Sequence, residues 1–334
     1  MDLIDFSRNE DNIAKQAHIE SVLLWGNPDA VPDSEITICI PTYKRPSLLR
    51  EAIESAINQV TDIPYRIIVV DNDPDFDNTE VYDIITSFNQ VKLSYYKNRQ
   101  DLGGAGNMNR CVVLAKTKWA ALLHDDDLLL NNYVITILKI LLKHGEKIDG
   151  LCNTYKQQNY PFEQKKLYSF LKKTCRNIRR ICLFFRGDII KVPVSANLFL
   201  GNVYGVPSCG MVFKRGKFVE SGGFKTQYAS CDWFFMIFYA EQYNLYKLKA
   251  PATAIYRWGV NVSLLEGVIK AHGEERKICF FSLKKYNPIC RFLMDFFKKD
   301  YDMIMNSRFR AAVPTSLLYK FVQFIYAVFI PNNT

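Results

Sequence analysis

The sequence predicts an α/β fold, a mostly parallel sheet flanked by helices and followed by a helical C-terminal tail. Three observations carry this prediction. Apolar, β-branched runs alternate with helix-spaced segments between residues 36 and 123. The runs at 36–40, 67–70 and 119–123 are almost wholly apolar, as a strand covered on both faces requires. Three of the runs end in polar clusters, where open α/β sheets collect their functional residues.

The elements follow in chain order. Residues 1–34 read as a short polar extension that closes on the turn formers Asn27-Pro28-Asp29 and Pro32-Asp33. Ile36-Thr37-Ile38-Cys39-Ile40 is a buried strand stopped by Pro41. Leu48, Leu49, Ala52, Ile53, Ala56, Ile57 and Val60 recur at helical spacing, with Ser47 as N-cap. Ile67–Val70 is a second strand and Asp71 stands at its end. Val81–Phe88 is helical, and Val91–Tyr96 is a third strand. Gly103–Gly106 reads as a flexible turn before a helix that carries Cys111, Val112, Leu114 and Ala115. Trp119–Leu123 is a fourth strand that runs into His124-Asp125-Asp126-Asp127. Strand ends carrying Pro41–Arg45, Asp71–Asp73 and Asp125–Asp127 should therefore converge in space.

Composition narrows the class of protein. With 49% hydrophobic and 23% charged residues, the 334-residue chain is a folded globular protein rather than a disordered one. Its net charge of +9 favours acidic partners: nucleic acid, anionic lipid or diphosphates. Nine cysteines without a C-x-x-C pair argue against a zinc ribbon, a thioredoxin-type site and a secreted disulfide framework. Reduced, buried thiols and a cytoplasmic setting are expected. The acidic start lacks a secretory h-region, and no uncharged apolar stretch reaches the about 20 residues a membrane span needs. No P-loop or complete G-x-G-x-x-G fingerprint is present.

Three consecutive carboxylates repel one another unless something compensates them. A hard divalent cation with oxygen ligands does so, although Asp also favours turns and helix starts. Asp71 on a neighbouring strand end weighs toward the cation, Mn²⁺ or Mg²⁺.

These blocks resemble the family 2 glycosyltransferases of the GT-A fold, especially the bacterial enzymes of O-antigen and capsule synthesis. The resemblance spans roughly residues 35–263 and rests on ordered motifs. They are Thr37–Pro46, Ile68–Asn72, Asn98 with Gly103-Gly104 and Asn107-x-Asn109, Leu122–Asp127, Gly210–Arg215 through Gly222-Gly223-Phe224, Asp232-Trp233 and Tyr256-Arg257. It implies a metal-dependent, inverting transfer of a hexose or N-acetylhexosamine from a UDP- or dTDP-sugar to a saccharide acceptor. Pro41, Thr42, Tyr43 and Arg45 would wrap the base and ribose, Asp71 would bond the base, and Asn107 would line the donor site. Asp125 would lie near the ribose, Asp126 would be the chief metal ligand, and Asp127 would support it. Asp232 matches the catalytic base, although alone it also reads as a cap of the apolar run Trp233–Tyr239. Two departures stand out. No His follows Tyr256-Arg257, so Arg257 or another basic group would cover the diphosphate, and Cys231 replaces the usual acidic residue before Asp232.

The second half adds basic-aromatic segments. Lys172, Lys173, Arg179 and Arg180 crowd an insertion at about 156–195. Lys284, Lys285, Lys298 and Lys299 lie among Phe280, Phe281, Phe292, Phe296 and Phe297 in a helical region from residue 264 onward. No nucleic-acid module accompanies them. They suit an anionic membrane surface on the inner face of the cytoplasmic membrane, where an undecaprenyl-diphosphate-linked acceptor would lie. The rival readings are a sugar-nucleotide nucleotidyltransferase and a non-catalytic sugar- or lipid-binding scaffold of the same fold.

Overall fold

The structure, a computed structural model, describes residues 3–159, 188–192, 209–260, 265–286, 288–306, 316 and 318–319. Most of the basic insertion and the last part of the tail lie outside the described residues. A nine-stranded sheet runs through the molecule in the order β1-β4-β3-β2-β5-β10-β7-β11-β9. Its centre is the parallel set β4 (Leu93–Asn98), β3 (Arg66–Asp71), β2 (Ile36–Thr42) and β5 (Trp119–Leu123). Strands β1 (Ser21–Trp25) and β10 (Cys209–Lys214) join this set antiparallel on either side. Beyond β10 lie β7 (Gly150–Cys152), β11 (Leu245–Leu248) and β9 (Ile189–Lys191). A small second sheet orders β6 (Leu128–Leu129), β12 (Ala254–Arg257) and β8 (Tyr155–Gln158) as β6-β12-β8.

The central strands are apolar on both faces because both faces are covered. Ile36, Ile38 and Ile40 of β2, Ile67 and Val69 of β3, and Ala121 and Leu123 of β5 enter one core cluster. The alternate residues Cys39, Ile68, Val70, Ala120 and Leu122 enter the other. This is the period of two of a pleated strand. Helices α2 (Pro46–Ile57), α3 (Glu80–Phe88) and α5 (Tyr133–His144) supply the first cluster. Helix α4 (Gly103–Leu114), the short α6 (Arg215–Glu220) and α7 (Cys231–Gln242) supply the second. It also receives Cys279, Phe280 and Leu283 of α8 (Glu266–Tyr286), Met294 of α9 (Pro288–Phe296) and Phe297, which precedes α10 (Lys298–Asn306). Phe280 and Phe297 are thus core residues, whereas Phe281, Phe292 and Phe296 are exposed.

Several elements differ from the sequence expectation. Residues 1–34 contribute a short helix, α1 (Asn12–Lys15), and β1, which pairs with β4. Such an edge strand is half-exposed and gives a weak sequence signal. Helix α2 starts at Pro46 rather than after Ser47; proline's fixed φ suits the first helical position, and Arg45 is the residue before it. Val60 lies past the end of α2 and is exposed. Gly103–Gly106 is the first turn of α4, not a flexible turn. Gly106 has to be small there, since a Cβ would lie 2.3 Å from the Gln16 side chain.

Asn109 shows why two distant motifs occur together. Its side chain donates to Phe224 O and accepts from Phe224 N, at 2.9 and 2.8 Å. The turn it grips needs φ +70° at Gly223, where a Cβ would lie 2.5 Å from Asn109 Oδ1.

Phe235 of α7 is the centre of an aromatic cluster, with ring centroids 4.4–5.7 Å from Phe213, Phe218, Phe224 and Tyr239. Phe235→Ala should cost about 3–5 kcal/mol of stability. Urea unfolding measures this, and a loss well under 1 kcal/mol would mean the cluster collapses around the gap.

Candidate active site

The register of the parallel strands builds the site. Thr42, the last residue of β2, pairs with Asp71, the last of β3, and Cys39 of β2 pairs with Leu122 of β5. The three polar strand ends therefore emerge side by side. Thr42 Oγ1 donates to Asp125 Oδ2 at 2.8 Å, and Arg45 Nη1 bridges Asp125 Oδ1 at 3.3 Å and Asp126 Oδ2 at 2.9 Å. Tyr43, by contrast, is exposed, with the Lys44 ammonium over its ring. Lys44 holds φ +54° at the turn and pairs with Asp73 at 3.7 Å. Pro41 stays within the sheet opposite Val70.

Asp125, Asp126 and Asp127 are all buried. Burial pushes Asp125 up to about 6, against the pull of its Thr42 bond and of Arg45. Burial, and then the neighbouring Asp126 charge, pushes Asp127 up to about 8. Asp127 Oδ1 accepts the Arg257 N–H at 3.0 Å, while Oδ2 is buried without a hydrogen-bond partner. The weak Cys209 thiol donor lies beside this carboxyl.

The small sheet explains how Arg257 arrives here. The acidic run leads directly into β6, and β6 pairs with β12. Arg257 Nε donates to Asp126 O, Nη2 lies 3.5 Å from Asp125 O, and Nη1 pairs with Glu51 of α2. Arg257 therefore straps the acidic loop.

Beneath the loop lies a buried amide network. Asn107 of α4 donates to Thr42 O at 3.3 Å and Val70 O at 2.9 Å, and accepts from Asn98 Nδ2 at 3.0 Å. Asn98 also donates to Asn72, whose Oδ1 accepts Leu102 N–H. Asn107 so braces the ends of β2 and β3 from below, with its polar atoms engaged by protein. Asp71 is fully buried; it accepts Tyr95 OH at 3.0 Å and Asp73 N–H at 3.0 Å, and faces Lys97 Nζ at 3.6 Å. Burial is the largest cause that raises its pKa. Lys97 is itself buried and donates to the carbonyls of Asp75 and Asn78. Sequence reasoning missed Lys97, although a lysine at the end of an apolar strand beside Asp71 was a signal.

Asp232 is the second residue of α7 and is partly exposed. Its Oδ1 accepts the Trp233 N–H at 2.9 Å. Burial is the main cause that raises its pKa. The Tyr256 phenol, raised by burial, also feels the charges of Asp127, Asp126 and Asp232, so this ring lies near both the acidic loop and the α7 N-terminus. His124 packs against Met108, with Nε2 3.1 Å from Sδ.

Among the described residues no three His, Cys, Asp or Glu side chains form a preformed metal-binding group. The acidic loop nevertheless suits a divalent cation. Its donors are hard carboxylate oxygens, one of them buried and unpartnered, and Mg²⁺-type ions take one or two carboxylates together with substrate phosphates.

The mostly parallel central sheet flanked by helices, with acidic residues at its strand ends, is a GT-A glycosyltransferase fold. The sequence model described as glycosyl transferase family 2 matches residues 37–218, and the chain belongs to that family. It is 28% identical over 150 residues to an uncharacterized glycosyltransferase of Methanocaldococcus jannaschii, covering 40% of this chain and 51% of that protein. The chain spans about half the length of the curated relatives it matches. Among solved structures it is similar to S. aureus TarS 1-349 in complex with UDP-GlcNAc, at TM-score 0.56 and 14% identity over 88% of this chain and 81% of that one. It is also similar to the mannosyltransferase PcManGT from Pyrobaculum calidifontis in complex with GDP-Man and Mn²⁺, at TM-score 0.53 and 14% identity over 89% and 80%.

The raised pKa of Asp127 has a consequence for stability. The folded protein holds that proton more tightly than the unfolded chain, so stability is lost as the pH rises from 3.8 toward about 8. With a chelator present, Asp127→Asn should raise the melting temperature at about pH 8 and change it little at about pH 4, where Asp127 is already neutral. Melting curves at the two pH values check this; equal shifts at both would exclude ionisation as the cause.

Proposed function

We propose that the protein transfers a hexose or N-acetylhexosamine from a UDP- or dTDP-sugar to a saccharide acceptor, with inversion at the anomeric carbon. The observation that carries the proposal is the convergence of Thr42, Arg45, Asp71 and Asp125–Asp127 at one end of the sheet. TarS in complex with UDP-GlcNAc supports a nucleotide-sugar donor.

Each residue then has a chemical task. Asp71 and the Pro41–Arg45 loop orient the base and ribose, and the amide network behind Asn107 keeps these strand ends in register. Asp232 accepts the proton of the acceptor hydroxyl as that oxygen bonds the anomeric carbon. The bond from the anomeric carbon to the diphosphate oxygen breaks on the opposite face, and with one base and no covalent intermediate the configuration inverts. Asp126, with Asp127 beside it, would hold Mn²⁺ or Mg²⁺; PcManGT in complex with GDP-Man and Mn²⁺ supports this. Such an ion, when bound, neutralises the charge that develops on the leaving diphosphate. Arg45 neutralises the same carboxylates in the present arrangement.

The acceptor we propose is lipid-linked, undecaprenyl-diphosphate-borne, and used for a bacterial surface polysaccharide such as O-antigen or capsule. The exposed Phe281, Phe292 and Phe296 beside Lys284, Lys285, Lys298 and Lys299 support an anionic membrane surface as partner. No described helix is long and apolar enough to cross a membrane.

Thermal-shift and UDP-release assays test the chemistry. Mn²⁺ should stabilise the protein in the presence of UDP, and Asp126→Ala or excess EDTA should remove both that stabilisation and turnover. Asp232→Asn should retain donor binding while turnover falls roughly 10²–10⁴-fold. Full activity of Asp126→Ala would overturn the metal assignment. For the membrane, wild-type protein should co-sediment with liposomes containing acidic lipids, less at high salt. Changing Lys298 and Lys299 to Glu should reduce this, and indifference of the wild type to acidic liposomes would remove the membrane claim.

A further inference from the structure

Helix α8 meets the N-terminus of α7 with one face. Both oxygens of Glu275 accept backbone N–H groups from the turn that opens α7, Ala229 N at 2.8 Å and Ser230 N at 2.6 Å. Glu275 is buried. Ser230, the N-cap residue of α7, makes no side-chain capping bond, so a carboxylate from another helix fixes that turn instead. Arg276 lies over the Trp233 ring, 5.7 Å from its centroid. His272 stands one turn before Glu275 and Cys279 one turn after it. Positions 272, 275, 276 and 279 follow the i, i+3, i+4, i+7 spacing of a single helix face.

Asp232 follows the turn that Glu275 fixes, two residues after Ser230. It feels His272, which favours its ionised form, and Glu275, which opposes it. Cys279 feels the Asp232 charge in turn. The other groups facing Asp232 are Tyr256 from β12 and Cys231 from its own helix.

We propose that Glu275 of α8 positions the Asp232 carboxylate for proton transfer by fixing the turn that opens α7. The inference rests on Asp232 as the base. It makes the region after residue 264 a structural part of the reaction centre. Glu275 is a positioning residue that acts through Asp232. A carboxylate that takes up a proton must be ionised beforehand, and it must be aimed; burial at the α7 N-terminus works against the first requirement.

The test uses the full chain and two readouts. Carbon-13 carboxyl NMR follows the titration of Asp232, its signal assigned by its absence from Asp232→Asn, and UDP release from UDP-N-acetylglucosamine with Mn²⁺ follows turnover. In Glu275→Gln the loss of a like charge should move the titration to lower pH, while turnover falls about tenfold at every pH and the donor KM holds. General destabilisation would instead lower turnover and donor affinity together. Turnover of Glu275→Gln equal to that of the wild type overturns the inference and leaves the base assignment standing. Full turnover of Asp232→Asn instead overturns the base assignment, and the inference falls with it.

Discussion

Three adjacent carboxylates held out of water at the end of β5 set the terms for everything around them. Desolvation and mutual repulsion push Asp125 and Asp127 well above the ordinary carboxylate range, so the loop is stable only where cations and donors meet it. Thr42 and Arg45 come to it from the end of β2, Arg257 from β12, and Glu51 holds Arg257 from α2. The strap uses backbone carbonyls as well as side chains, which leaves the Asp127 carboxylate with an unpartnered oxygen.

The scaffold beneath is rigid for a different reason. Asn72, Asn98 and Asn107 satisfy one another and the carbonyls of Thr42 and Val70 within the core. Replacing any one of them strands a buried polar group, which costs more than a hydrogen bond contributes. The same economy governs Lys97, whose buried ammonium is shared among Asp71 and two carbonyls. The acidic loop and the amide network thus meet at Thr42, whose hydroxyl bonds the first and whose carbonyl bonds the second.

The acceptor side is assembled from farther along the chain. Asn109 ties α4 to the Gly222-Gly223-Phe224 turn, Phe235 and its aromatic neighbours fix α7 on the sheet, and Glu275 fixes the turn ahead of Asp232. The position of one partly exposed carboxylate therefore depends on contacts spread from residue 109 to residue 279. The exposed phenylalanines of α9 stand outside this assembly, since Phe280 and Phe297 rather than their neighbours enter the core.

The sequence by itself determined the four central strands, because the runs at 36–40, 67–70 and 119–123 are almost wholly apolar, as a strand covered on both faces requires, and the run at 91–96 sets Val91, Leu93, Tyr95 and Tyr96 around Lys92 and Ser94. It also determined that the functional residues gather where those runs end, because parallel strands present their carboxyl ends on one edge. What it could not determine was which polar atoms meet. The chain order does not show that Asn107 braces Thr42 and Val70 or that Arg257 straps the acidic loop, and Ser47 reads as a cap where Pro46 starts the helix. Lys97, Glu51 and Glu275 acquire their contacts only from register and helix packing. A side chain's type is local, but whether its charge is compensated depends on neighbours up to about 206 positions away, as Glu51 and Arg257 are, and only the tertiary structure brings those together.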